Sequence, residues 1–349
     1  MELKKRIGIL TGGGDCPGLN AAIRATTKAA LKMDCEVVGL RDGWEGLIFN
    51  KSEMLDGFKT SGIIDRGGTI LGASRTSPFL IENGPQRVLD TFGELGLSAL
   101  IVLGGEGTLS VTSRLFEMGL PVVGIPKTID NDVRETDFTI GFQTAVQVAT
   151  DALDRLRSTA ASHHRVMILE VMGRCTGWIA TYAGMANGAD AILIPEIPMD
   201  EKNIEELCRM LEARNKRGIN FSIVVVAEGV ELEGKTIFKP RFRTDKTEDP
   251  DRLGGVGQAL GELIEIETGL HTRVSSLGYI QRGGTPVAYD RSLATAFGVK
   301  AVELVGDKKY GQMTSLKGNR ITSVPLDKVA DGIKTVNPNA YRIAKVFFG

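Results

Sequence analysis

The chain has 349 residues, a formal net charge of −1, 42% hydrophobic and 24% charged side chains. That length exceeds what one hydrophobic core usually serves, so two domains are expected. Balanced charge without a basic stripe argues against a nucleic-acid partner, and no apolar run approaches the roughly 18 residues of a membrane span.

From the N-terminus, β-branched runs predict strands at 6–11, 36–40, 99–103, 121–125, 166–171, 190–194, 222–227 and 274–280. Helical periodicity predicts helices near 18–33, 85–96, 106–118, 142–159, 176–187, 201–217, 255–268 and 288–305. Continuous apolar strands alternating with amphipathic helices mean largely parallel sheets covered on both faces, a doubly wound α/β fold. The polar stretch 239–255 reads as a surface loop. Cys16, Cys35, Cys175 and Cys208 are scattered without a C-x-x-C, which argues against zinc and against a disulfide framework. The leading apolar run "IGIL" is too short for a signal peptide, so a reducing cytoplasmic setting is expected.

In such folds ligands gather outside the carboxyl ends of the strands. The strand exits here carry "TGGGDCPGLN", "GGEGTLS", "PKTIDND", "MGRCTGW", "AEG" and "QRGGTP", more polar and glycine chemistry than turns require. The first follows a strand and opens a helix, with Pro17 suited to the first turn, and the second repeats that arrangement around Gly105, Glu106, Gly107 and Thr108. Glycines let backbone N–H groups approach a phosphate, and a helix N-terminus favours its charge. Glu106 is placed either to complement the helix dipole or to hold Mg²⁺. Two such loops favour a nucleotide triphosphate.

Asp130 and Asp132 flank Asn131 at a third exit. A lone Asp there would read as a cap, but beside two phosphate loops one carboxylate suits a proton acceptor and the other a metal support. Arg75, Arg165, Arg174, Arg273 and Arg282 are candidate cations, because a guanidinium holds phosphate oxygens bidentately. Adjacent His163 and His164 make a poor metal pair, Trp178 and the Met172/Met185 region read as core, and no Ser-His-Asp or Cys-His constellation has a coherent placement.

The segments "GGGDCPGLNAAIR", "LGASR", "GGEGT", "PKTIDND", "EVMGR", "PE", "AEG" and "GYIQRGGTPVAYDR" occur in the order seen in phosphofructokinases, and the resemblance spans roughly residues 6–300. It implies two Rossmann-like lobes with the active site in the cleft between them. The larger, donor-binding lobe would be 1–141 with about 255–305, and the smaller, sugar-phosphate lobe 142–254 with about 306–349. The implied reaction is Mg²⁺-dependent transfer of a phosphoryl group to the 1-hydroxyl of fructose 6-phosphate. By the resemblance, Asp130 is the base, and Thr128, Ile129 and Asp132 orient sugar and metal, with Glu106 also at the magnesium. Gly14, Arg75, Thr76, Gly105, Glu106, Gly107 and Thr108 would hold the donor, and Gly14 and Arg174 would serve the transferring group. Met172, Gly173, Arg174 and Glu228 would hold the sugar, with Arg165, Arg273 and Arg282 on its 6-phosphate. Some of those arginines reach across a subunit boundary in the family, so self-association is implied.

The sequence departs from the family pattern in three places. Glu106 stands where many members have Asp, and Tyr279 where many ATP enzymes carry a histidine at the sugar phosphate. Arg24, Lys28, Arg157 and Asp190 fit the effector site of bacterial members, but "KRGINF" lacks its lysine cluster. Donor identity turns on two residues. Gly107 leaves room for the ATP α-phosphate where pyrophosphate enzymes carry an aspartate, whereas Lys127 is the residue those enzymes use to grip their donor. A carboxylate excludes ATP while a lysine only adds attraction, so the reading is ATP, with pyrophosphate as the alternative. An NAD kinase, which shares a loop like "GGEGT", and a non-catalytic sugar-phosphate sensor are more distant readings. A dehydrogenase lacks its fingerprint.

Overall fold

The computed structural model describes residues 5–233, 254–330 and 332–349. The predicted surface loop at 239–255 lies outside them, apart from Gly254 and Gly255. The chain divides into two compact units, Met1–Thr144 with Arg282–Lys334, and Ala145–Gln281 with Thr335–Gly349.

The first unit begins with β1 (Arg6–Thr11), α1 (Leu19–Lys32), β2 (Glu36–Leu40), α2 (Glu45–Ile48) and β3 (Ser52–Leu55). It continues through α3 (Gly84–Glu94), β4 (Leu97–Gly104), α4 (Glu106–Glu117), β5 (Val122–Thr128) and β6 (Ile140–Gly141), and α5 (Phe142–His163) starts in it. The second unit holds β7 (Val166–Val171), α6 (Trp178–Asn187), β8 (Ala191–Leu193), α7 (Glu201–Lys216), β9 (Ser222–Ala227), α8 (Val256–Thr268) and β10 (Thr272–Ser276). The chain then returns to the first unit with α9 (Ala288–Gly306), β11 (Gln312–Lys317) and β12 (Arg320–Pro325), and ends in the second with α10 (Pro338–Lys345).

The first sheet runs β12-β11-β5-β4-β1-β2-β3, with β6 beside β5, and only its outermost pairs, β2–β3 and β11–β12, are antiparallel. Its central strands are buried on both faces, as Ile7, Ile9, Leu100, Ile101 and Val102 show. Helices α1 and α9 pack together. A separate apolar cluster joins Leu40, Trp44 and Leu47 to Leu100, Leu109 and Val122. The second sheet, β10-β7-β9-β8, is parallel throughout.

Strand pairing draws the units differently from the expectation. Strand β10 pairs with β7, which carries 255–281 into the second unit; β11 pairs with β5, which carries 306–334 into the first. Two strands also differ in extent. Strand β5 continues past 125 to Thr128, so Lys127 lies in a strand, and the run at 274–280 is a strand only to Ser276, followed by a 3-10 helix at Gly278–Arg282. Hairpin β11–β12, β3 and α10 are additional to the expected elements; "QMTSLK" and "RITSVP" mix polar and apolar residues without a strong period. Met185 is exposed rather than core, while Trp178 and Met172 are buried.

Candidate active site

In the first unit the register sets three loops side by side. Thr11 pairs with Leu103 and Gly104 with Pro126, so the exits of β1, β4 and β5 are neighbours. The β1 exit is held from both sides: Gly12 N–H donates to the Leu103 carbonyl and Gly13 N–H to that of Ser74, each at 2.8 Å. A Cβ at Gly12 would lie 2.6 Å from Thr108 Cγ2, so a larger residue there would push the Thr108 side chain aside. Helix α1 starts two residues beyond Pro17, after Gly18 in the left-handed region; α4 starts after Gly105. Neither helix has a side-chain N-cap hydrogen bond, which leaves first-turn N–H groups for an anion.

Ser74 binds the Asp42 carbonyl through its hydroxyl, so the segment leading to Arg75 runs beside the β1 exit. Arg75 is exposed. Thr76 donates its hydroxyl to Glu45 Oε1 at 2.8 Å, and that bond, more than the nearby Lys51, holds the Glu45 carboxyl below its ordinary range. Glu106 stands half-buried in the first turn of α4, and Thr108 is half-buried.

Gly107 is exposed, has no positive φ, and a Cβ built on it meets nothing within 4 Å. Neither packing nor backbone strain asks for glycine there, where it costs the helix up to about 1 kcal/mol relative to alanine.

Lys127 is buried at 2% exposure and donates to the Gly14 carbonyl at 2.6 Å. Burial pushes its ammonium below the ordinary lysine range, partly opposed by Cys16 and Asp130. Thr128 donates its hydroxyl to Asp130 Oδ2 at 3.2 Å and accepts the Asp130 N–H at 3.1 Å, a turn that fixes the carboxylate. Asp130 and Asp132 are 6% and 7% exposed, and the Ile129 side chain is buried in the core. Asn131 adopts a left-handed φ of 53°. Its Oδ1 accepts the Thr139 N–H at 3.1 Å, and its Nδ2 donates to the Asp137 carbonyl at 3.3 Å.

Lys334, which the sequence reading passed over, reaches this loop. Its N–H donates to the Asp132 carbonyl at 2.7 Å, and its ammonium to Asn131 Oδ1 at 3.1 Å and the Thr136 and Asp137 carbonyls at 2.8 and 3.0 Å. Burial brings its pKa down to about 8, against the pull of Asp132 and Asp137. Nothing in "DGIKTV" marks that lysine. Arg282 belongs to this unit too, and a Cβ at Gly14 would stand 3.0 Å from its Nη1. The expectation grouped it with Arg165 and Arg273, which lie in the second unit.

In the second unit, Val171 of β7 pairs with Ala227 of β9, so the exits "MGR" and "EG" adjoin. Buried Glu228 accepts the Gly173 N–H at 3.3 Å and the Arg174 N–H at 3.1 Å through Oε1. A Cβ at Gly229 would overlap the Arg174 carbonyl, so this close approach requires glycine. Glu196, of the "PE" pair, accepts the Gly177 N–H at 3.0 Å and that of Val336 at 2.9 Å, tying the following loop to the C-terminal segment. Met172 is buried, Arg174 half-buried with φ 52°, and Tyr279, beyond the end of β10, is 61% exposed.

Arg165 precedes β7 and Arg273 is the second residue of β10, so both stand at the amino ends of their strands. Six residues of β7 separate Arg165 from the Met172–Arg174 exit, about 20 Å of strand. Two residues considered for an effector site have structural partners. Asp190 forms a buried ion pair with Arg214 at 2.8 Å, and Arg157 donates to the Asn187 and Gly188 carbonyls at the end of α6.

The model of one protein family, phosphofructokinase, matches residues 6–305. The chain belongs to the phosphofructokinase family. It is 46% identical to a pyrophosphate–fructose 6-phosphate 1-phosphotransferase of Dictyoglomus thermophilum, over 99% of both chains. It is 48% identical to an ATP-dependent 6-phosphofructokinase of Chloroflexus aggregans, over 97% of this chain and 94% of that one. Among solved structures, the Pichia pastoris phosphofructokinase in the T-state superposes with a TM-score of 0.83 at 31% identity, covering 99% of this chain and 37% of that subunit. Phosphofructokinases of both donor types thus stand at comparable similarity.

Proposed function

We propose that the protein is an ATP-dependent 6-phosphofructokinase of the cytoplasm, which transfers the γ-phosphoryl group to the 1-hydroxyl of fructose 6-phosphate in glycolysis. The observation that carries ATP over pyrophosphate is Gly107, an exposed glycine whose absent side chain leaves open space beside the phosphate loop. Lys127, the residue that favours pyrophosphate, is buried and turned to the Gly14 carbonyl.

Asp130 accepts the proton of the attacking hydroxyl, held in aim by its bond from Thr128. Gly14, Arg75, Thr76 and the 105–108 loop bind the donor phosphates, and Arg174 draws charge from the moving group. Glu106 and Asp132 fit Mg²⁺: both are hard oxygen donors at the exits of adjacent strands. Among the described residues no cluster of three or more ligating side chains occurs, which suits a cation carried mainly by phosphates, waters and one or two carboxylates. Bound there, magnesium supplies charge neutralisation at the phosphates.

Met172, Gly173, Arg174, Glu228 and Tyr279 hold the sugar. Arg165, Arg273 and Arg282 clamp the 6-phosphate, Arg165 and Arg273 from a second copy of the chain; their place at the amino ends of their strands, about 20 Å from the Arg174 loop of their own unit, supports this. Self-association therefore completes the site. Among the described residues no helix is long and apolar enough to cross a membrane, and no membrane or nucleic-acid partner is proposed.

The test is a donor panel of ATP, GTP, ADP and pyrophosphate with fructose 6-phosphate and Mg²⁺. Turnover with ATP and little with pyrophosphate supports the reading. Preference for pyrophosphate overturns the donor assignment, and no turnover with any donor overturns the reaction.

A further inference from the structure

The catalytic loop is braced by a part of the chain that the motifs do not reach. Residues 315–317 and 333–334 lie beyond the 6–305 that match the family, yet they contact most of the loop from Asn131 to Asp137. Ser315 donates its hydroxyl to the Glu135 carbonyl, Leu316 N–H donates to Thr136 Oγ1 at 3.1 Å, and Asp137 N–H donates back to the Leu316 carbonyl at 2.9 Å. Lys317 pairs with Glu135 at 3.2 Å. Ile333 bridges Val133 in antiparallel fashion, which brings Lys334 against the Asn131 turn.

We propose that Lys334 is a positioning residue for phosphoryl transfer, whose ammonium holds the Asn131 turn and thereby the aim of Asp130 and Asp132. An ammonium has three N–H donors. Those of Lys334 meet three acceptors of one loop, Asn131 Oδ1 and the Thr136 and Asp137 carbonyls. The Asn131 turn is left-handed, a conformation open to asparagine, and here its side-chain amide is bonded to Asp137, Thr139 and Lys334. Asn131 sits between the two carboxylates, so rotation there swings both. The printed bonds of the Lys334 ammonium run to the loop that carries the two carboxylates, so its removal is expected to lower kcat more than it raises KM.

This inference rests on Asp130 being the base, and the experiment separates the two. Lys334→Ala, or Lys334→Met should the alanine variant not fold, is compared with wild type and Asp130→Ser, each checked by thermal unfolding. The expected result is a kcat lowered by about 10- to 100-fold, the scale of an ångström's misplacement, with KM for fructose 6-phosphate within about twofold. Added ethylammonium restores rate to Lys334→Ala, whereas tetramethylammonium at equal ionic strength does not. In the Asp130→Ser background, Lys334→Ala costs little further. Wild-type kcat in the folded Lys334 variants, or a loss in them that is fully additive with Asp130→Ser, overturns the role of Lys334. Full turnover in Asp130→Ser overturns the assignment of the base instead.

Discussion

A general base within hydrogen-bond reach of its proton contributes about 10²- to 10⁴-fold to the rate. Asp130→Ser is therefore expected to lower kcat by that range while fructose 6-phosphate binding, measured by calorimetry, stays near wild type. Retained turnover would remove Asp130 from the mechanism. At Gly107 the argument is steric: with nothing within 4 Å of its Cβ, an aspartate folds without clash but places a carboxylate in the open space. Gly107→Asp should keep its melting temperature and lose ATP-dependent turnover far more than pyrophosphate-dependent turnover. Equal losses with both donors would refute donor selection at this position. Asp130 and Gly107 stand out as candidates in "PKTIDND" and "GGEGT" because residue type and spacing are local properties of the chain. Lys334 does not, since a lysine in a polar tail reads as a solvated charge until the fold brings it to Asn131.

The element that shapes the proposed sugar loop is the pair of adjacent exits after β7 and β9. Glu228 gathers the amides of Gly173 and Arg174, and Gly229 lets the Arg174 carbonyl come close. Gly229→Ala forces that carbonyl away, and overpacking of this kind costs about 1–3 kcal/mol. The expected outcome is a raised KM for fructose 6-phosphate with KM for ATP unchanged; the reverse pattern would detach this loop from the sugar. Cys175 offers a second probe of the same element. It is exposed beside Arg174, whereas Cys16, Cys35 and Cys208 are buried, and burial pushes the Cys16 thiol far above its ordinary range. Alkylation of the native protein, followed by mass spectrometry, should mark Cys175 first and be slowed by fructose 6-phosphate. No protection would argue against sugar binding at this exit. These strand exits were visible in the sequence because buried parallel strands are continuous apolar runs ending in polar loops. Hairpin β11–β12 was not, because β12 is an edge strand with one partner and β11, though internal, carries the polar residues Thr314 and Ser315 in its buried stretch.

For the whole molecule, the position of Arg165 and Arg273 at the amino ends of their strands makes a single chain incomplete under the proposed reaction. Co-expression of an Arg165→Ala chain with an Asp130→Ser chain should recover activity that neither has alone, since mixed assemblies pair an intact base with an intact clamp. No recovery in assemblies shown to be mixed would mean each chain holds its own clamp. The sequence by itself determined the α/β class, the strand exits and the residue types at them, because period, glycine spacing and charge are local properties of a chain. Only the tertiary contacts place β10 in the second sheet and β11 in the first, bury Lys127 against Gly14, and close Lys334 on the Asn131 turn. Each of those depends on pairing between residues far apart in the chain, and no local pattern encodes which strand will lie beside which.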